Sequence, residues 1–168
     1  MIIEGRVWKF GDDVNTDLII AGKYKYDTLD MKEMSKHAFE AARPEFSESV
    51  QEGDIIVAGE NFGCGSSREQ APAVLKASGI KAIVAESFAR IFYRNSINLG
   101  IPVLVCEGIS SSVQDGDPLR IDLEENTVGK VGGELSLRFN PLSPWILEII
   151  KEGGVVPYVK KHGSIRPV

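Results

Sequence analysis

The residues of this chain best suited to chemistry lie in one short segment, Gly63-Cys64-Gly65-Ser66-Ser67-Arg68-Glu69. It follows a short apolar run and precedes a stretch with helical character. Glycines permit positive φ angles and let a ligand approach the backbone closely. A helix start presents free N–H groups and about half a positive charge. We therefore expect this segment to bind an anion such as a carboxylate or a phosphate.

Three side chains refine that expectation. Arg68 offers a fork of donors that matches a carboxylate in a bidentate manner. The hydroxyls of Ser66 and Ser67 share the positive field of the predicted helix start, which lowers the cost of an alkoxide-like oxygen and would help a serine act as a base. The structural alternative is a capping box, in which one of the serines caps the helix and Glu69 or Gln70 bonds back to it. From these residues alone, both interpretations remain open.

Two common motifs do not match the segment. A phosphate-binding Walker loop would end in Gly-Lys-Ser or Gly-Lys-Thr, and a nucleophile elbow would place a glycine two residues after the serine. Cys64 lies between two glycines at the predicted helix start, where a thiol becomes redox-sensitive or simply fills a tight turn.

The elements that must position this segment alternate between strand and helix. We predict strands at 2–10, 54–59, 81–85 and 102–106, and helices at 31–42, 66–78 and 88–99. This alternation is typical of a parallel sheet covered by helices. Three short strands at 118–123, 126–131 and 134–139 predict an antiparallel addition, followed by a helix at 142–151 and a tail at 162–168 that frays. The predicted fold class is α/β, with one domain over residues 1–168.

Composition narrows the class of function. The 168 residues carry a net charge of -5, which argues against nucleic acid or an anionic membrane as the partner, because both need a basic face. The sequence holds neither a secretory signal pattern nor an apolar run near the roughly 20 residues of a membrane span. Its two cysteines, Cys64 and Cys106, are too few for an iron–sulfur cluster and suit a reducing cytosol. We expect a cytoplasmic protein.

Three blocks of the sequence resemble the swivelling domain of aconitase-type hydro-lyases. The segment GCGSSREQAP at 63–72 resembles the family signature G-x-G-S-S-R-E. The segment DDVNTDLII at 12–20 matches D-x-x-x-T-D-x-I-I. A third block begins with SFARIF at 87–92 and continues with Asn95 and GIP at 100–102. The blocks occur in family order.

The resemblance implies an aconitase-like swivelling domain that forms the separate small subunit of a two-subunit hydro-lyase. Its partner would be a large subunit, in a heterodimer or heterotetramer, that carries a [4Fe–4S] cluster, while this chain binds no metal. The substrate would be a small dicarboxylate hydroxy acid. We expect isomerisation of 2-isopropylmalate to 3-isopropylmalate by dehydration and rehydration, as in leucine biosynthesis. The alternatives are homoaconitase or another alkylmalate dehydratase, and a non-catalytic anion-binding module.

The resemblance also implies roles for individual residues. Ser66 is the expected catalytic base, and Ser67 and Arg68 the expected ligands of the substrate carboxylate. Asp17 matches an acidic residue near the active site, and we expect it to orient Arg68 or a neighbour.

Members of the family select their substrate in the segment that corresponds to residues 22–28. Homoaconitase-like subunits carry Tyr-Leu-Arg-Thr or Tyr-Leu-Arg-Ser here, and isopropylmalate-type subunits carry an apolar residue in place of the arginine. Aligned on Tyr24, that position is Tyr26, whose ring would cover an isopropyl group. Lys25 departs from both patterns. It is expected either to bind a distal carboxylate or to form a solvated pair with Asp27.

Overall fold

The computed structural model describes residues 1–165. Within them, strands β1 to β7 form a seven-stranded sheet in the order β4-β3-β2-β1-β5-β6-β7. The strands are Ile2–Lys9, Ile55–Ala58, Ala82–Ala85, Val103–Val105, Pro118–Asp122, Thr127–Lys130 and Ser136–Arg138. Strands β1 to β4 pair in parallel, and the pairs β1–β5, β5–β6 and β6–β7 are antiparallel. The predicted α/β class with an antiparallel addition is confirmed.

The parallel strands are short and lie in the core. Every residue of β2 and β3 is fully buried, which explains why these strands read as continuous apolar runs in the sequence. The carboxyl ends of parallel strands meet at one edge of a sheet, and ligands of open α/β sheets bind there. The segments that leave β1, β2 and β3 at this edge are the three blocks singled out above.

Helices connect and cover the strands. The α-helices are, from α1 to α8, Thr16–Ile19, Met31–Ser35, Phe46–Ser49, Gln70–Ala77, Arg90–Asn98, Ile109–Ser112, Pro144–Lys151 and Val155–His162, and a 3₁₀ helix spans Gly22–Tyr26. Helix α4 packs against α2 and α5, and α5 also contacts α7 and α8. No helix within residues 1–165 is long and apolar enough to cross a membrane.

The helices differ from the sequence prediction in length and in number. The helix predicted at 31–42 ends as an α-helix at Ser35, because Phe39 takes a φ of 54° and donates its N–H to the Ile19 carbonyl instead of to its own turn. Helices α1, α3, α6 and α8 are absent from the predicted elements. Helix α8 contains Pro157, but proline is tolerated in a first helical turn. Residues 166–168 of the predicted fraying tail lie outside the described residues.

Candidate active site

The segment at 63–69 does not open a helix, contrary to the sequence prediction. Helix α4 begins only at Gln70, and its N-cap Glu69 receives no side-chain capping bond. Upstream, Phe62 pairs with Phe88, and Cys64 pairs with Asn15, in isolated parallel bridges. The backbone is thus held between two neighbouring segments and cannot coil until it has passed this point. The capping-box interpretation of the two serines is therefore wrong.

Those bridges also join the three sequence blocks in space. The Thr16 N–H donates to the Cys64 carbonyl at 2.9 Å, and the Gly63 N–H donates to the Val14 carbonyl at 2.7 Å. On the other side, the Phe62 N–H donates to the carbonyl of Ser87 at 3.1 Å. Backbone bonds from both neighbours thereby fix the turn at residues 63–69, called the serine turn, which presents Ser66 and Ser67 to solvent.

Ser66 has a neighbour that sequence reasoning did not assign to the site. The buried Thr16 hydroxyl donates to the Ser66 carbonyl oxygen at 2.8 Å, and its Oγ1 lies 3.4 Å from Ser66 Oγ. Because the single Thr16 proton already goes to the carbonyl, the Ser66 hydroxyl is free to donate to Thr16 Oγ1. The signal available in the sequence was the position of Thr16 in the block at 12–20, next to Asp17.

Arg68 is held from several sides. Its Nη2 lies 2.5 Å from Asp17 Oδ1, and its Nη1 donates to the Ile20 carbonyl at 3.1 Å. The guanidinium lies against Gly22, where any Cβ would come within 2.8 Å of Nη2. Asp17 thus contacts Arg68. The guanidinium has five N–H donors, so donors remain for a ligand.

A cleft of about 300 Å³ opens beside these groups. It is lined by Thr16, Gly63, Gly65, Ser66, Ser67, Arg68, Ala89, Arg90, Ile91, Phe92 and Asn95. None of these described lining residues is acidic, and two are arginines, so the cleft favours a small anion. Sequence reasoning did not assign Arg90, at the start of α5, to the site, because the third block is far from the serine turn along the chain.

Lys25 and Tyr26 do not line this cleft. Both lie on the 3₁₀ helix that begins at Gly22 beneath Arg68, and Tyr26 is 86% exposed. Lys25 Nζ lies 5.8 Å from the centroid of the Tyr26 ring. Among the described residues, no ion pair joins Lys25 to Asp27. The structure therefore brings the segment next to the site but leaves these two side chains in solvent.

The described residues do not form a metal centre. No group of three or more His, Cys, Asp or Glu side chains within residues 1–165 is placed to hold a metal ion. Of the two cysteines, Cys64 is half-buried in the turn and Cys106 is buried. These donors do not fit an iron–sulfur cluster, which takes about three or four cysteine thiolates.

The two cysteines are expected to differ in reactivity. Burial, with a smaller contribution from the charge of Glu86, raises the pKa of the Cys106 thiol to about 11, and the thiolate is the reactive form. Iodoacetamide at about pH 8 should therefore label Cys64 in the folded chain and Cys106 only after unfolding. Peptide mass spectrometry reads out both sites, and equal labelling of the two in the folded chain would contradict the burial of Cys106.

The fold and the cleft together describe an α/β domain with a cationic, hydroxyl-lined cleft at the carboxyl ends of its parallel strands. A model of the aconitase C-terminal domain family matches residues 13–107. This chain belongs to the aconitase C-terminal domain family, which confirms the resemblance noted in the sequence.

Similar proteins extend the likeness over almost the whole chain. The 3-isopropylmalate dehydratase small subunit 1 of Methanopyrus kandleri is 50% identical over 162 residues, covering 96% of this chain and 95% of that protein. The methanogen homoaconitase small subunit of Methanothermobacter thermautotrophicus is 50% identical over 160 residues, covering 95% and 92%. The crystal structure of 3-isopropylmalate dehydratase from Methanocaldococcus jannaschii matches with a TM-score of 0.91 and 45% identity, covering 97% of this chain and 96% of the other.

Proposed function

We propose that this chain is the small subunit of a hydro-lyase that isomerises 2-isopropylmalate to 3-isopropylmalate by dehydration and rehydration. The observation that carries the proposal is the cleft in which a serine hydroxyl and an oriented arginine lie together, with no acidic side chain among the described lining residues. Relatives that are named as small subunits of this dehydratase share about half of their residues with this chain, and the match covers nearly the full length of both proteins.

Arg68 is the proposed clamp for a substrate carboxylate. A guanidinium binds a carboxylate through two parallel hydrogen bonds, provided that its plane is fixed. Asp17, the Ile20 carbonyl and the close approach to Gly22 fix that plane. The Ser67 hydroxyl, which lines the same cleft, is proposed to donate a further hydrogen bond to the carboxylate.

Ser66 is the proposed base that takes a proton from the carbon next to the departing hydroxyl. A serine is a poor base unless its alkoxide is stabilised. Because α4 begins at Gln70, the helix start supports Ser66 less than the sequence suggested. The support is assigned instead to the cationic lining, Arg68 and Arg90, and to Thr16, whose hydroxyl can rotate to donate to an alkoxide at Ser66 Oγ.

The activity is proposed to need a large subunit, in a heterodimer or heterotetramer. Since the donors of this chain do not fit an iron–sulfur cluster, the [4Fe–4S] cluster is assigned to that partner. The proposed work of this chain is to hold the carboxylate, orient the substrate and move the proton at Ser66 Oγ.

A second candidate is an alkylmalate dehydratase with a different side-chain preference. Relatives named methanogen homoaconitase small subunit and isopropylmalate/citramalate isomerase small subunit are 50% and 48% identical to this chain. Tyr26 stands where homoaconitase-like subunits have an arginine, which argues against a tricarboxylate. Lys25, the residue before Tyr26, supplies a cation that could bind a distal carboxylate of such a substrate, so this alternative stays open.

The test is turnover by this chain reconstituted anaerobically with its large subunit and an intact cluster. Dehydration of 2-isopropylmalate, homocitrate and 2-methylmalate is followed by the absorbance of the alkene product. We expect kcat/KM for 2-isopropylmalate to exceed the others by about tenfold or more, the size of one misplaced side-chain contact. A preference for homocitrate or for 2-methylmalate would select the second candidate. Failure with all three acids would leave a non-catalytic anion-binding module, and turnover by the isolated chain would refute the two-subunit proposal.

A further inference from the structure

The 3₁₀ helix Gly22–Tyr26 has little to hold it in place. None of its residues is buried. The Tyr24 N–H donates to the Ala21 carbonyl, and the Asp27 N–H donates to the Tyr24 carbonyl, both at 3.2 Å. Short 3₁₀ helices have weak hydrogen-bond geometry, and a segment with few buried contacts opens easily. Its position must therefore depend on side-chain contacts with the rest of the molecule.

Tyr24 makes those contacts. Its ring stacks on the imidazole of His37, with centroids 4.0 Å apart and an interplanar angle of 13°. Its hydroxyl donates to Glu40 Oε2, and His37 Nδ1 lies 3.6 Å from Glu40 Oε1. Lys23 Nζ, from the same 3₁₀ helix, lies 4.9 Å from the Tyr24 ring centroid. Tyr24 is thus joined to a ring and a carboxylate that belong to another part of the chain.

The acceptor site is itself fixed to the core. Between His37 and Glu40 lies Phe39, which is fully buried and donates its N–H to the Ile19 carbonyl at 2.9 Å. The hydrogen bond from Tyr24 lowers the pKa of the Glu40 carboxyl, and the same bond raises the pKa of the Tyr24 phenol. At neutral pH the contact is a neutral phenol donating to a charged carboxylate.

Lys25 and Tyr26 follow Tyr24 directly in the chain. Tyr26 is 86% exposed, and the described contacts of Lys25 are with the Tyr26 ring rather than with the body of the protein. Because these two side chains have no other described attachment, the backbone of the 3₁₀ helix sets their position relative to Arg68. Gly22 is seated beneath Arg68, and Tyr24 is the second attachment.

We propose that Tyr24, held by His37 and Glu40, is a positioning residue that sets which hydroxy-acid side chain the enzyme accepts, by fixing Lys25 and Tyr26 beside the cleft. This inference rests on the proposed function. It assigns part of substrate selection to His37 and Glu40, which lie outside the three blocks that resemble the family.

The test compares substrate preference in the reconstituted holoenzyme. Tyr24→Phe keeps the stacked ring and removes the hydroxyl, Glu40→Ala removes the acceptor, and Glu40→Gln keeps an acceptor oxygen. The matched control is Glu33→Ala, which removes an exposed carboxylate of α2 that pairs with Lys36 at the end of the same helix. Each variant is assayed with 2-isopropylmalate and with 2-methylmalate.

We expect Tyr24→Phe and Glu40→Ala to raise KM for 2-isopropylmalate roughly 5- to 10-fold with kcat within about twofold, since binding geometry and not the proton transfer is disturbed. The ratio of kcat/KM between the two acids should fall by a similar factor. Glu40→Gln and Glu33→Ala should stay within about twofold of wild type. Equal losses for both acids would show a merely structural role and overturn the inference.

Hydrogen exchange in the isolated chain provides a readout that does not need activity. The amides of Tyr24 and Asp27 should exchange roughly 5- to 10-fold faster in Tyr24→Phe and Glu40→Ala, and at the wild-type rate in Glu33→Ala. Unchanged exchange in the first two variants would overturn the inference even if the enzyme is active. A wild-type holoenzyme inactive toward both acids would instead overturn the proposed function, and with it the role in selection.

Discussion

Ser66→Ala is expected to lower kcat of the reconstituted enzyme by about 10³-fold while KM changes by less than about threefold. The substitution removes the proposed proton acceptor and leaves the carboxylate clamp at Arg68 in place. The loop should not move, because Thr16 donates to the Ser66 carbonyl oxygen, which alanine retains. Steady-state kinetics, together with the exchange of the substrate C–H proton with solvent, measures the effect.

Ser67→Ala is the matched control for that experiment. It deletes an adjacent hydroxyl in the same cleft and should cost about tenfold, mainly in KM, as expected for one hydrogen bond to a charged group. General-base catalysis contributes about 10²-fold or more. If Ser66→Ala kept more than about a tenth of the wild-type kcat, the loss would be too small for that role, and Ser66 would not be the base. If both variants lost the same factor in KM, the two serines would share a binding role.

Gly63→Ala is expected to destabilise the fold by about 2–5 kcal/mol, the sum of left-handed backbone strain and overpacking. Gly63 has a φ of 81°, and a Cβ there would lie 2.2 Å from Phe92 Cγ and 2.4 Å from Phe92 Cβ. Phe92 is itself buried in α5 and packs edge-to-face on Phe62, with ring centroids 5.3 Å apart. Either α5 or the serine turn must shift, so activity should be lost with stability.

Gly116→Ala separates the two contributions to that cost. Gly116 has a φ of 84°, but a methyl group added there would meet nothing within 4 Å, so only the backbone strain of about 1–2 kcal/mol remains. Urea unfolding of both variants gives the comparison, with m-values checked for constancy. In the Phe92→Ala background, Gly63→Ala should cost less than in wild type. Equal destabilisation by the two glycine substitutions would mean that the turn does not press on α5.

Much of this arrangement was predictable from local sequence. Strands β2, β3 and β4 were located to within two residues, because a strand buried on both faces must be a continuous apolar run. The antiparallel strands after residue 115 were predicted from the Gly and Asn turn residues between them. Residue types alone predicted an anion site at the serine turn and its arginine, and the three blocks identified the family.

The tertiary structure decided how those residues are arranged. The helix after the serine turn starts at Gln70 because bridges to Asn15 and Phe88 hold the preceding backbone extended, and such long-range pairing leaves no mark in local periodicity. For the same reason Thr16 and Arg90 were not assigned to the site, since each reaches the cleft from a distant part of the chain.

The segment 63–69 thus shows where the two kinds of information divide. Its residue types predicted an anion site and determined that a serine and an arginine would lie together, because these follow from the side chains and from the backbone freedom of glycine. Which groups support the serine, and which hold the arginine, depended on three segments meeting at the carboxyl ends of β1, β2 and β3, and only the folded sheet brings those ends together.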